Sequence, residues 1–270
     1  MPNLDPPVVP RVVLLTSPGL FGGMIIRTLA AEGGIDLVGV GLTNRIYKGK
    51  GFLAAARTFL QRTGVSYTVY SALVSQFAWV MLRMRGRPAA LACAGRQVRA
   101  LDDVNSPETI EWLKSQRPDF IASFYFNQWI GAAVRAVPQR ACVNMHPSLL
   151  PALRGPDPVF RALERGLTTT GLTLHLVNDQ FDEGGILYQQ EQPVADQATV
   201  LGLYLAQVAA GAEILARWLA TPNDLPCVAT PPASDAYTTF PTPGEVRQFL
   251  RSGKRLLRLS ELLRAIRQVR

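Results

Sequence analysis

The sequence predicts an α/β fold built on a mostly parallel sheet, and three observations predict it. Short runs rich in β-branched and aromatic residues alternate with stretches of helical pattern, as strands joined by crossover helices do. Glycine and proline punctuate the joins. A chain of 270 residues with 48% hydrophobic and 18% charged content can bury a full core.

Taken in order, Val12 to Thr16 reads as a buried strand, Ser17 to Gly23 as a turn and Met24 to Glu32 as a helix stopped by Gly33 and Gly34. Ile35 to Leu42 is a second strand. A helix over about Ser106 to Gln116, with Ser106 as N-cap, leads into a strand at Phe120 to Phe126. Ala141 to His146 is a further strand running into a proline-bounded loop. Leu172 to Val177 and Ile186 to Gln190 form a strand pair around the acidic turn Asp179 to Gly185.

Between Val65 and Leu82 no residue is charged, and Arg83, Arg85 and Arg87 follow. That length could just span a bilayer, but Ser66, Thr68, Ser71, Ser75 and Gln76 dilute it, so a buried or interface helix is preferred over membrane contact. From about Thr221 to Pro243 a proline-studded connector leads to a helix over Phe249 to Val269, where Leu256, Leu259, Leu263 and Ile266 recur among arginines. Docking of that apolar stripe on the main domain is preferred over a free basic surface. The chain therefore divides into a catalytic domain, 1–219, and a connector with a basic amphipathic helix, 220–270. Of the net charge of +8, six units come from Glu245 to Arg270, which holds eight basic and two acidic residues. The remainder is nearly neutral, so nucleic acid is a disfavoured partner. Cys93, Cys142 and Cys227 have no paired spacing, and the first residues have no basic n-region, so a cytoplasmic location is expected.

Asn144 and His146 stand two apart at a strand end, so both project to one side, where open α/β sheets bind ligands. An amide and an imidazole aimed at one point suit an oxyanion. Asp182, in a turn with Gly184 and Gly185, could orient the imidazole or relay a proton, and the glycines would let backbone approach a ligand. His175, the only other histidine, reads as structural, within an apolar strand. Read from the residues alone, a Ser148–His146–Asp182 nucleophilic triad, a metal site from His146, His175 and Asp182, and a plain hydrogen-bonded turn all stay open.

Asn144-Met-His146-Pro-Ser148-Leu-Leu-Pro151, followed by Arg154-Gly155, Pro158, Thr170-Gly171, Thr173, His175 and Asp182-Glu-Gly184-Gly-Ile186, resembles the folate-dependent formyltransferase family in order and spacing. That family includes glycinamide ribonucleotide, methionyl-tRNA and amino-sugar formyltransferases. The match is dense from about Phe120 to Val194. The resemblance implies a Rossmann-like catalytic domain with 10-formyltetrahydrofolate as formyl donor. It implies Asn144, His146 and Asp182 as the catalytic trio, Gln128, Trp129 and Ile130 at the pterin pocket, and Val177 to Phe181, with Asp179 and Gln180, as the folate-side loop. Those folate contacts are expected to be largely backbone. Gly19 to Gly23 would face the acceptor.

The acceptor is expected to be a primary amine of a small molecule, an amino sugar nucleotide or an amino-acid-derived precursor. The methionyl-tRNA members carry a further β-barrel module that the 220–270 segment does not resemble, and the insertion at about Tyr47 to Arg87 departs from the compact purine-pathway pattern. A methionyl-tRNA enzyme, a formyltetrahydrofolate hydrolase and a non-catalytic folate-binding protein are the alternatives. The sequence does not give an oligomeric state.

Overall fold

A computed structural model describes residues 9–43, 51–77, 97–221, 227–232 and 236–268. Seven strands, β1 (Arg11–Thr16), β2 (Asp36–Leu42), β3 (Gln97–Ala100), β4 (Phe120–Phe124), β5 (Ala141–His146), β6 (Thr169–Leu176) and β7 (Ile186–Pro193), form one sheet in the order β3-β2-β1-β4-β5-β6-β7. The pairings from β3 to β5 are parallel, and β6 and β7 add antiparallel. This is the predicted α/β class with a mostly parallel sheet. The chain lays β2 and β3 on one side of β1 and the remaining strands on the other, so strand order reverses between β1 and β4. A cleft at that reversal, outside the carboxyl ends of the strands, is where such sheets take ligands.

Both faces of the sheet are covered. Val12 and Leu14 point into the larger apolar layer, Val13 and Leu15 into the smaller, as the two-residue period of a strand requires. This explains why β1 reads as a continuous apolar run and not as an alternation. The larger layer holds α1 (Leu20–Ala31), α2 (Phe52–Ala72) with a π turn at Leu73–Phe77, α5 (Pro158–Glu164), α6 (Val200–Ala220), α7 (Pro243–Arg251) and α8 (Leu259–Gln268). The smaller is built around α3 (Pro107–Ser115) and α4 (Ala132–Arg135). Ser106 caps α3 as expected, its hydroxyl accepting from the Thr109 N–H.

Several boundaries differ from the sequence reading. Helix α1 starts at Leu20, so Gly22 and Gly23 are helical and not part of a turn; a Cβ on Gly22 would overlap the Ser17 carbonyl oxygen. The Gly23 amide is spent on Gly19 O, which removes it from the set that could face an acceptor. Strands β3 and helix α6 had no sequence assignment. Helix α6 is long and apolar enough to cross a membrane by length and composition, yet 61% of that window is buried in the fold, against α1, α5, α8 and β6. Of the uncharged Val65 to Leu82 segment, the described part ends α2 and forms the π turn, with Tyr67, Tyr70 and Val74 buried. Residues 78–82, the three arginines after them and Cys93 lie outside the described residues.

The expected single C-terminal helix is two. Gly253, at φ +82°, breaks the chain between α7 and α8, and the break resets the helical phase. Leu262, Ala265 and Ile266 are therefore the buried face of α8, while Leu259 is 65% exposed. Val246, Phe249 and Leu256 join the same core cluster as α1 and the central strands, so the stripe does dock, in a different register from the one predicted.

Candidate active site

The site starts from strand register. Ser123 of β4 lies opposite Asn144 of β5, and Asn144 lies opposite His175 of β6. Three polar residues thus share one row and one face across three strands. The row is hydrogen-bonded end to end. Ser123 Oγ donates to Asn144 Oδ1 at 2.8 Å, Asn144 Nδ2 donates to His175 Nε2 at 3.0 Å, and His175 Nδ1 donates to Leu176 O at 2.8 Å. With Nε2 accepting, His175 is neutral. Burial holds its pKa down at about 4, against the pull of Asp182 in the other direction and with the help of His146.

This row has a consequence for stability. Above pH 6.5 both folded and unfolded chains carry a neutral His175; between 6.5 and about 4 only the unfolded chain takes up the proton. The stability tied to this group is therefore complete above pH 6.5 and is lost as pH falls towards 4, by up to roughly 3 kcal/mol. Urea unfolding of the parent and His175→Gln at pH 7 and pH 4.5 should show a steeper loss in the parent. Equal losses would exclude the assignment.

His146 ends β5, 4% exposed. Its Nε2 faces Leu153 O at 3.2 Å and its Nδ1 faces Asp182 Oδ1 at 3.4 Å, so both nitrogens meet acceptors. Asp182 also lies 3.9 Å from His175 Nε2, and its Oδ2 accepts the Gly155 N–H at 3.0 Å. Its backbone is left-handed, φ +57°, a conformation aspartate tolerates better than most residues. Arg154 pairs with Glu183 beside it. The predicted trio, Asn144, His146 and Asp182, thus converges, and His175 joins it. The strand pattern hid His175, because its partner across the sheet is set by register, which sequence spacing does not give.

Gly184 and Gly185 have another use from the one expected. A Cβ on Gly184 would overlap the Leu176 carbonyl oxygen, and one on Gly185 would overlap Cys227 Sγ. The close approach is to the chain itself. Ser148 is fully buried and donates to Ala152 O at 2.7 Å, away from the cavity, which leaves it no nucleophilic role. Among the described residues no cluster of three or more His, Cys, Asp or Glu is arranged to hold a metal ion.

Asn144, His146, His175 and Asp182 open into a cavity of about 390 Å³. It lies at the strand-order reversal, lined by Ser17 and Pro18 after β1 and by Tyr125 to Ile130 after β4. Gln128, Trp129 and Ile130 are on its wall, as is Gln180. The Gln128 side chain is spent on Thr43, Asp102 O and the Val104 N–H, so it braces the loop. Asp179 does not line the cavity. Its carboxylate pairs with Arg135, whose guanidinium sits 5.9 Å from the Trp129 ring, so it ties the 177–181 loop to the 128–130 segment. Tyr237 lies on the wall beside Phe181, and burial followed by the charge of Asp182 pushes its phenol up to about 12.

The reversed strand order and a polar cluster at the carboxyl end of β5 define an α/β protein with a strand-end ligand cleft. The formyl transferase family pattern matches residues 79–219, and the chain belongs to that family. It is 33% identical over 159 residues to a methionyl-tRNA formyltransferase of Moorella thermoacetica, covering 58% of this chain and 50% of that one. With the enzyme of the same name from Geobacillus thermodenitrificans it shares 36% identity over 116 residues, 43% of this chain and 36% of the other. The chain spans half the length, or less, of these curated relatives. Among solved structures, phosphoribosylglycinamide formyltransferase from Bacillus halodurans superposes with a TM-score of 0.53 at 19% identity, covering 78% and 93% of the two chains. A sugar N-formyltransferase from a Shewanella species gives 0.52 at 19%, covering 94% and 87%. At that identity the structural likeness speaks for the fold alone.

Proposed function

We propose that the protein transfers a formyl group from 10-formyltetrahydrofolate to a primary amine of a small molecule. The observation that carries this reading is the convergence of Asn144, His146 and Asp182 on one cavity that is also lined by the 128–130 segment and the 177–181 loop. In this reading those two stretches receive the donor, and Gln180 and Trp129 flank it. The amine attacks the formyl carbon, and the C=O electrons move onto oxygen. Asn144 has one amide N–H on His175 and a second left for that oxyanion. His146, held between Leu153 O and Asp182, stands beside it as the second polar group. The proton lost by the attacking nitrogen passes by way of Asp182 to the folate nitrogen as the carbon–nitrogen bond to the donor breaks.

Incubation with 10-formyltetrahydrofolate and a panel of amines, following tetrahydrofolate release, tests the reading. Amine-dependent release supports it. Release without amine assigns a hydrolase, and tight donor binding with no release assigns a binding protein. The likeness to methionyl-tRNA formyltransferases favours a second acceptor, methionyl-tRNA, which belongs in the same panel.

A further inference from the structure

Part of the same cavity's wall, its aromatic lobe, is made of rings. Helix α2 contributes Phe59, Tyr67 and Tyr70, α6 contributes Tyr204, and Phe240 and Tyr125 close it. Two stacks form these walls. Phe59, Tyr67 and Phe240 pack with centroids 5.4 to 6.5 Å apart, and Tyr125 lies 4.8 Å from Phe21 and 6.0 Å from Tyr204. The buried carboxylate of Asp157 joins the stacks, accepting from Tyr67 and, at 2.9 Å, from Tyr204. Those two hydroxyls are thus turned out of the lobe.

Two other hydroxyls are not committed. Tyr70, 5% exposed, and Tyr125 line the cavity, and their phenol oxygens have no hydrogen-bond partner among the described residues. Burial first, then neighbouring tyrosine and Asp157 charge, keep the Tyr70 phenol protonated; burial and Asp157 do so for Tyr125. Tyr125 is held at φ +55°, a conformation that costs a non-glycine residue roughly 1–2 kcal/mol and is retained where packing dictates it. No lysine or arginine lines the cavity among the described residues.

Resting on the formyl-transfer reading, we infer that this lobe holds the acceptor, and that it selects an amine on an uncharged, apolar body carrying one neutral oxygen for Tyr70 and Tyr125. A phosphate or carboxylate entering the lobe would lose its water and meet no lysine or arginine among the described residues. Of the two acceptor classes expected from sequence, this favours the amino-acid-derived one in neutral form over a nucleotide-borne sugar.

The probes are L-phenylalaninamide, L-phenylalanine and glucosamine 6-phosphate, with 10-formyltetrahydrofolate and the full chain. The amide should exceed the free acid and the phosphate by about 100-fold in kcat/KM, the discrimination a buried unpaired group enforces. Tyr70→Phe should raise KM for the amide by about 5- to 10-fold with a smaller change in kcat and an unchanged thermal midpoint. Turnover of the acid or the phosphate equal to that of the amide overturns the inference and leaves formyl transfer standing. If no amine is formylated, the formyl-transfer reading fails separately; calorimetric binding of the three amines then decides. Binding of the amide alone sustains the lobe's selectivity, and binding of all three or none overturns it.

Discussion

Asp182→Asn should lower amine-dependent formyl transfer by about 10²- to 10⁴-fold, the range that removal of a general acid–base group commonly costs. The substitution is close to isosteric, and an amide oxygen can still accept the Gly155 N–H that Asp182 Oδ2 now accepts. What disappears is the negative charge 3.4 Å from His146 Nδ1 and the ability to take and return a proton. In the proposed reading the donor is held largely by backbone of the 128–130 and 177–181 stretches, which the substitution leaves unchanged, so KM for 10-formyltetrahydrofolate should change little while kcat falls. Steady-state kinetics on the purified variant, with its thermal midpoint measured alongside, checks both. A kcat within about threefold of the parent would remove Asp182 from the proton path and leave it a loop anchor.

The largest expected effect on folding lies at Asp157. Its carboxylate accepts the hydroxyls of Tyr67 and Tyr204 and caps α5 through the Phe160 N–H at 3.1 Å, all at 1% exposure. Asp157→Ala strands two buried hydroxyls, at about 1–3 kcal/mol each, and removes a cap worth about 1 kcal/mol. Against this stands the burial of the carboxylate itself, which raises its pKa and which the alanine relieves. The net loss should be on the order of 4 kcal/mol in urea unfolding. Asp157→Asn, which can still cap the helix, should lose less. A loss below about 1 kcal/mol for the alanine variant would mean that the tyrosine hydroxyls find other partners.

Much of the fold was legible because its strands obey simple patterns. The run Val12 to Leu15 is apolar on both faces, and Ser106-Pro107 is an N-cap followed by a residue suited to the first turn. The edge strand β3 was not legible: Gln97-Val-Arg-Ala is mostly exposed and carries no alternation. The break at Gly253 was visible as a glycine but not as a phase reset, and this shifted the buried face of α8. At the candidate site, Asn144, His146 and Asp182 were found through family order and spacing. His175 was set aside because an apolar strand is the ordinary surrounding of a buried histidine; only the β5–β6 register reveals that it receives the Asn144 amide. The aromatic lobe is assembled from α2, α6 and the 236–240 stretch, segments up to about 180 positions apart, whose meeting no local pattern encodes.

Thr238 docks on the loop after β5 by two hydrogen bonds to Arg154 O, at 3.0 Å through its amide and 2.7 Å through its hydroxyl, and Gly155, at φ +122°, has no side chain because Thr238 O occupies that space. Tyr237 and Phe240, on either side of this clasp, are cavity wall. A composition-based border after residue 219 thus runs through a single room: one partition is built by residues before it and another by the proline-rich stretch. Cutting there would take away part of the cavity's wall and, with Val246, Phe249, Leu256 and Ile266, part of the floor on which the whole building stands.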